Sequence, residues 1–159
     1  MTENNNLLII RQLDKKLQKL EPLREIQPAD GWVKLIRRAL KMTLLQFGSR
    51  MSITQQSLHD IESREKEGGV TIKTLRDVAA ALDMTLVYGF LPREGYSLEK
   101  MVEEKARAIA ERIVMRTSTS MKLEDQENSK ERINQAIAEL TEEIKREMPN
   151  TLWDYGNAL

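Results

Sequence analysis

Apolar residues recur at three- and four-residue spacing along most of the chain, a pattern that predicts a mainly α-helical fold. Residues 7–20, LLIIRQLDKKLQKL, predict an N-terminal amphipathic helix that Pro22 brings to an end. The same periodicity predicts two long C-terminal helices, 97–117 and 129–148, and Pro149 stops the second of them. The ends of the chain are therefore expected to be helical.

The middle of the chain predicts four shorter helices. The first follows Gly31, and its apolar face is expected to hold Trp32, Leu35, Ile36, Ala39 and Leu40, opposite a basic face of Lys34, Arg37, Arg38 and Lys41. Thr43 with Gln46, Thr54 and Thr71 stand where side chains cap the next three helices. Leu58 and Ile61 are expected to face inward, and residues 64–69, REKEGG, are expected to form a loop.

Residues 84–92, MTLVYGFLP, are rich in β-branched and aromatic side chains and predict one short extended strand. A lone strand needs a partner. One interpretation is a buried extended connection, and the other is pairing with a symmetry mate across a dimer. The pattern does not separate them.

Three regions follow from these elements. Residues 1–28 are predicted to form the N-terminal helix and linker, residues 29–92 a domain of short helices with the extended segment, and residues 93–159 a C-terminal helical region for dimer or partner contact. The N-terminal helix could fold back on its own domain, or it could contact a second copy or another partner. No internal repeat is visible.

The amino-acid composition excludes several classes of functional site. The chain has no cysteine and a single histidine, which excludes disulfides, thiol catalysis and Cys-based or His-rich metal sites, and no cofactor is expected. His59 lacks an accompanying nucleophile motif, so no enzyme is predicted. The N-terminus, MTENNNLLIIRQ, has too short an apolar run for a signal peptide or a membrane span, so we expect a cytoplasmic protein without a membrane partner.

The net charge is zero, with 25 basic and 25 acidic side chains, but the charges are unevenly distributed. Residues 31–83 carry nine basic and six acidic side chains, 9 − 6 = +3, and residues 97–159 carry ten and thirteen, 10 − 13 = −3. Phosphate contacts supply most non-specific DNA affinity. The positive excess lies where a DNA-binding surface is expected.

Two capped helices joined by the tight turn Met51–Ser52–Ile53 predict a helix-turn-helix, in which the second helix enters the major groove. Its polar side would supply the base contacts, from Gln55, Gln56, Ser57 and His59. Phosphate contacts are expected from Lys41, Thr43, Arg50, Thr54, Arg64 and Lys66. The alternative interpretation of each of these residues is that it lies on a solvent-exposed helix surface and does not contact DNA.

The segment resembles the Xre or phage-repressor type of helix-turn-helix, with Thr43, Gly48, Thr54, Gln55 and Glu62 at the places of its usual motif. It departs at Leu44, where a phosphate-binding Gln is common, and at Ser52, where Gly is common. GWVKLIRRALKMT, IKTLRDVAAALDMTLVYGFLPR, MKLEDQ and a late LWD are similar to the family called mobile mystery protein A.

That resemblance implies an antitoxin. Members are paired with mobile mystery protein B, a Fic-domain protein, so this chain would repress its own operon as a homodimer on a palindromic operator and restrain a Fic enzyme that transfers AMP to proteins. SREKEG, Ser63 to Gly68, matches the short pattern of Fic inhibitors, which makes Glu67 a candidate toxin contact. Trp153 and Tyr155 of the tail are two more.

Two other functions are compatible with the same residues. The chain could be a stand-alone transcriptional regulator of a mobile element without a toxin partner. It could also be a protein-interaction module whose helix-turn-helix has lost DNA binding, which Leu44 makes conceivable.

Overall fold

The computed structural model describes residues 3–118 and 126–154, with the side chains of 5–118 and 130–154. It confirms the mainly α-helical class, with seven α-helices and no strand over those residues. The helices are α1 (Glu3–Gln18), α2 (Trp32–Ala39), α3 (Leu44–Arg50), α4 (Gln55–Glu67), α5 (Ile72–Ala81), α6 (Leu98–Ser118) and α7 (Gln126–Glu147). Two single 3₁₀ turns, Glu21–Arg24 and Asn150–Trp153, complete the described elements.

The chain divides into two compact units. One is Leu20–Phe90, which contains α2 to α5, and the other joins the residues up to Lys19 to those from Leu91 onward. Helix α1 packs against α6 and α7. The N-terminal helix is therefore a structural part of the C-terminal unit.

The unit that contains α1, α6 and α7 has an aliphatic core. Its buried members are Val102, Ala106, Ala110, Ile144 and Leu152. Ala106 and Ala110 are fully buried, and their small side chains leave room for the neighbouring helix to approach α6 closely. Near the end of the described chain, Leu152 is buried and Trp153 is exposed.

Asp14 of α1 caps the N-terminus of α6. Its two carboxylate oxygens accept hydrogen bonds from the backbone N–H groups of Leu98 (2.8 Å) and Glu99 (3.1 Å). The first N–H groups of a helix have no partner within it, so a carboxylate from another helix satisfies them. Arg11 also donates to the Glu99 carboxylate at 2.8 Å, which fixes α1 against the start of α6.

The unit Leu20–Phe90 is built around five buried side chains, namely Val33, Phe47, Leu58, Val78 and Leu82. Helices α2, α3, α4 and α5 each contribute one of them, and Leu82 directly follows α5. The inward positions predicted for α4 are confirmed, with Leu58 fully buried and Ile61 packed against the core.

Helix α2 differs from its predicted orientation. Val33 is its buried residue, whereas three members of the predicted apolar face, Trp32, Leu35 and Leu40, are exposed. Arg37, expected on the solvated face, is 13% exposed. The assignment was wrong because a charged partner inside the unit, Glu62, turns the Arg37 side of the helix inward.

Arg37 and Glu62 form a bidentate ion pair. Arg37 Nε donates to Glu62 Oε1 at 2.5 Å and Nη2 donates to Oε2 at 3.0 Å. Nη1 donates to the carbonyl oxygen of Met42 at 3.0 Å. The Glu62 side chain is 5% exposed, and its hydrogen bond raises the pKa of Arg37 above its ordinary value. One guanidinium thereby ties α2 to α4 and to the residue before Thr43.

Glu65, one turn further along α4, caps the N-terminus of α2. Its carboxylate accepts from the backbone N–H groups of Trp32 and Val33, both at 2.9 Å. Gly31 precedes them with φ +86°, and a Cβ there would lie 2.7 Å from Glu65 Oε2. Only glycine combines this backbone conformation with so close an approach.

Helix α4 is longer than predicted. It continues to Glu67, so Arg64, Lys66 and Glu67 belong to its last turn and not to a loop. Gly68 then adopts a left-handed conformation, with φ 78°, and the N–H of Gly69 donates to the Arg64 carbonyl at 2.7 Å. These bonds form a Schellman motif, which ends the helix at the glycine pair.

The strand predicted for residues 84–92 is not formed within the chain. The residues run without a turn or bend between α5 and α6 but make no ladder. Extended backbone becomes a strand only beside another strand, and the described residues offer none.

Among the helices of the described residues, none is both long and apolar enough to cross a bilayer.

The Arg37–Glu62 pair generates a stability prediction. Glu62→Leu is expected to lower the free energy of unfolding by about 3–5 kcal/mol, because it leaves a buried guanidinium uncompensated. Arg37→Met with Glu62→Leu removes both charges and should recover the stability to within about 1 kcal/mol of the native chain. Urea unfolding followed by circular dichroism measures both.

The exposed pair Arg107–Glu111 on α6 supplies the control. Arg107→Ala should change the free energy of unfolding by only about 0.3–0.5 kcal/mol. Equal losses in the single Glu62 variant and the double variant would contradict the argument.

Candidate nucleic-acid interface

The turn between α3 and α4 is held by a close backbone approach at Gly48. A Cβ on Gly48 would lie 2.9 Å from the Ile53 carbonyl oxygen, closer than real contacts allow. Gly48 is buried, and its own carbonyl accepts from the Ile53 N–H at 2.9 Å. The small residue that the sequence motif carries at this place is thus explained by the packing of the turn on α3.

Ser52 lies at the centre of the turn with φ 57°. It adopts the left-handed conformation that a glycine commonly takes at this place, and its N–H donates to the Ser49 carbonyl at 3.2 Å. The turn is therefore a Schellman motif with serine at the left-handed position. It directs the chain into Thr54 and α4.

Both helices begin with a capping threonine, as predicted. Thr43 accepts from the Gln46 N–H at 3.1 Å, and the Gln46 side chain accepts from the Thr43 N–H at 2.9 Å, which completes a capping box. Thr54 Oγ1 accepts from the Ser57 N–H at 3.0 Å. Each cap fixes the first residue of its helix.

The four base-contact candidates are all exposed residues near the start of α4. They are Gln55, Gln56, Ser57 and His59. The Gln56 amide donates to Asp60 at 3.0 Å, and the Ser57 hydroxyl lies 2.9 Å from that of Thr54. His59 Nδ1 lies 4.0 Å from the Asp60 carboxylate. Leu58 and Glu62 hold the opposite side of the helix in the core, so the polar side faces solvent.

The structure brings two phosphate-contact candidates together. Lys41 and Arg50 line one shallow depression at the surface of α3, with Gln46 and Ser49 between them. Lys41 has φ 54°, the left-handed residue that ends α2. Leu44, by contrast, packs against the core. The place where a phosphate-binding glutamine is common is thus occupied by an apolar side chain that points inward.

The remaining phosphate-contact candidates differ in their surroundings. Thr43 and Thr54 are exposed caps, and Arg64 is exposed on the last turn of α4. Lys66 pairs with Asp30 at 2.8 Å, and its hydrogen bond lowers the pKa of the Asp30 carboxyl while raising that of Lys66. A phosphate would have to compete with this carboxylate for Lys66.

The two toxin-contact candidates that the structure describes belong to different units. Glu67 is exposed at the C-terminal end of α4, whereas Trp153 is exposed in the other unit. Tyr155 lies outside the described residues. Within SREKEG, the Ser63 hydroxyl donates to the His59 carbonyl at 3.0 Å and Glu65 is engaged in capping α2, so Glu67 is the acidic side chain of this run that faces solvent.

Three residues that organise this surface were missed from the sequence. The sequence assigned Arg37 to a basic face, Glu62 to a motif position and Glu65 to a loop. Glu62 follows the predicted inward residue Leu58 by four residues, a spacing that places its charge on the buried face of α4. The apolar face predicted for α2 gave no such signal for Arg37. Glu65 carries no comparable local signal.

The described residues contain no group of three or more His, Cys, Asp or Glu side chains that could hold a metal ion. Comparison of this chain with protein-family models, with curated proteins and with solved structures found no match.

The Gly48 contact generates a second prediction. Gly48→Ala is expected to lower the free energy of unfolding by up to about 2 kcal/mol, because crowding against the Ile53 carbonyl outweighs the better helix propensity of alanine. Gly69→Ala is the matched control, since a Cβ there meets only ordinary contacts at 3.9 Å. Thermal unfolding compares the two. Similar or greater loss in the Gly69 variant would contradict the assignment.

Proposed function

We propose that this chain is a sequence-specific double-stranded DNA-binding protein and that α3, the turn and α4 form its helix-turn-helix. The observation that supports this is the two-sided character of α4. Leu58 and Glu62 fix one side in the core, while four polar side chains near the start of the helix stand exposed. A rigid helix with an open polar side is what the major groove accepts.

Gln55 and Gln56 are the proposed base readers. A glutamine amide presents one donor and one acceptor together, which matches the N6 and N7 edge of adenine. Ser57 and His59 are also exposed and are proposed to reach bases or phosphates. Lys41, which follows α2, and Arg50, at the end of α3, would supply phosphate contacts that set the position of α4 on the duplex.

Two copies are proposed to bind together, because one short recognition helix covers only a few base pairs. A palindromic operator would then present half-sites about 34–36 Å apart. On the resemblance to mobile mystery protein A, this chain acts in the cytoplasm as an antitoxin that represses its own operon and neutralises a Fic-domain AMP-transferase. Exposed Glu67 is the proposed contact to that enzyme from the helix-turn-helix unit.

The DNA proposal predicts different effects for base and phosphate contacts. Gln55→Ala should weaken one operator by about 1–3 kcal/mol relative to other sequences. Lys41→Ala and Arg50→Ala should weaken all sequences alike, and each should reduce the slope of affinity against salt by about 1. Mobility-shift titrations at several salt concentrations measure these effects.

Gln12→Ala is the matched control, because Gln12 is an exposed glutamine on α1, in the other unit. It should leave operator affinity unchanged. If the Gln55, Lys41 and Arg50 variants all bind as the native chain does, the helix-turn-helix assignment fails and an interaction module without DNA binding takes its place.

The antitoxin proposal predicts a stable complex with the product of an adjacent Fic gene. Co-expression should yield a complex that survives purification, and the chain should restore growth of cells that express the enzyme. Glu67→Ala, compared with Glu94→Ala in an exposed turn of the other unit, tests the proposed contact. Operator binding without any complex or growth rescue would favour a stand-alone regulator.

A further inference from the structure

A polar recess lies between α2 and α4, within the unit Leu20–Phe90. Its volume is about 270 Å³, several times the roughly 30 Å³ that a water molecule occupies in the liquid, so it has room for a small polar group. The recess is lined by the ion pairs Arg37–Glu62 and Lys66–Asp30, together with Lys34 and His59. Its walls are therefore charged and suit a charged ligand.

The cations of the recess outnumber its carboxylates. Three cations line it against two carboxylates, 3 − 2 = +1 with His59 neutral. The surroundings of the Asp30 carboxyl show this surplus. Its pKa is lowered first by Lys66, through a hydrogen bond and through its charge, and then by the charges of Lys34 and Arg38 nearby. The charge that remains is positive, so the recess attracts an anion.

Hydrogen-bond donors are also left over in the recess. Lys34 is half-buried and forms no hydrogen bond or close ion pair with any described residue. A guanidinium has five N–H groups, and Arg37 uses three of them, on Glu62 and on a backbone carbonyl. Lys66 is held by Asp30 in an exposed pair, a kind of pair that contributes little stability. An acceptor in the recess can therefore receive bonds from ammonium and guanidinium groups together.

We propose that this recess binds a phosphate group, which Lys34, Lys66 and the remaining N–H groups of Arg37 hold. Phosphate oxygens accept strong charge-assisted hydrogen bonds from lysine and arginine, and several oxygens on one phosphorus atom match several donors. A backbone phosphate of DNA and a free phosphate compound present the same group. Lys34 and Arg37 are not among the phosphate contacts proposed above, and only occupation by DNA rests on the proposed function.

The recess adjoins the proposed DNA-reading residues, because His59 is one of them and also lines it. A backbone phosphate bound there would fix the position of α4 on the duplex from the side of α2. A free phosphate compound would instead place a negative charge beside the DNA backbone and lower the affinity for DNA. The two sources therefore have opposite effects on DNA binding, which allows an experiment to separate them.

His59 is the only histidine of the chain, so its ring-proton NMR signal is identified without further assignment. The full chain is titrated with sodium phosphate at constant pH, and in parallel with sodium chloride at matched ionic strength. Phosphate should shift the His59 signal and reach saturation, because the anion binds beside the ring. Chloride reports the effect of screening alone and should leave the signal nearly unchanged.

Variants of Lys34 test which side chain holds the phosphate. Lys34→Ala should raise the Kd for inorganic phosphate at least about fivefold, because it removes a charged donor. Lys34→Arg should retain most of the affinity, since a guanidinium also binds phosphate. Lys16→Ala is the matched control, because Lys16 is an exposed lysine of α1 in the other unit, and it should leave the Kd unchanged.

Mobility-shift titrations of the same variants with duplex DNA identify the source of the phosphate. If a backbone phosphate occupies the recess, Lys34→Ala should weaken all duplexes alike and reduce the slope of affinity against salt by about 1. If a free phosphate compound occupies it, this variant keeps the native slope. Lys34→Ala that matches Lys16→Ala in both the phosphate and the duplex titrations would overturn the site. The phosphate titration needs no DNA, so this proposal and the helix-turn-helix proposal fail separately.

Discussion

The buried pair of Arg37 and Glu62 is the interaction on which the unit Leu20–Phe90 depends. Two charges taken from water are stable only when each satisfies the other, and here both oxygens of Glu62 accept from Arg37. The third Arg37 bond, to the Met42 carbonyl, reaches the residue before the α3 cap. The Arg37 side chain therefore fixes the orientation of α2, the start of α3 and the rotation of α4 about its axis. Rotation matters most, because it decides which side of α4 meets solvent.

Helix α4 has a buried side and an exposed side. Leu58, Glu62 and Glu65 face the unit, where they fill the core, hold Arg37 and cap α2. Gln55 and His59 are exposed to solvent. A substitution of an exposed polar residue of α4 therefore changes the surface of the unit without removing a core contact.

Each of the two units uses a carboxylate from one helix to cap another. Glu65 of α4 satisfies the first N–H groups of α2, and Asp14 of α1 does so for α6. Gly31 and Ser97, which precede these helices, do not carry the whole cap themselves. A cap supplied across the packing links helix formation to tertiary structure, because neither helix start is satisfied until its neighbour is in place.

Local chemistry was readable along the chain, because its causes lie within a few residues. The caps at Thr43 and Thr54, the stop at Pro149 and the inward positions Leu58 and Ile61 follow from side chains and their immediate spacing. The rotation of α2, the cap from Glu65 and the packing of α1 with α6 and α7 depended on residues distant in sequence. Periodicity assigns apolar residues to the inside, and it fails where a buried ion pair makes a charged side chain the inward one. Only the folded chain could decide that Arg37, and not Trp32, faces the core.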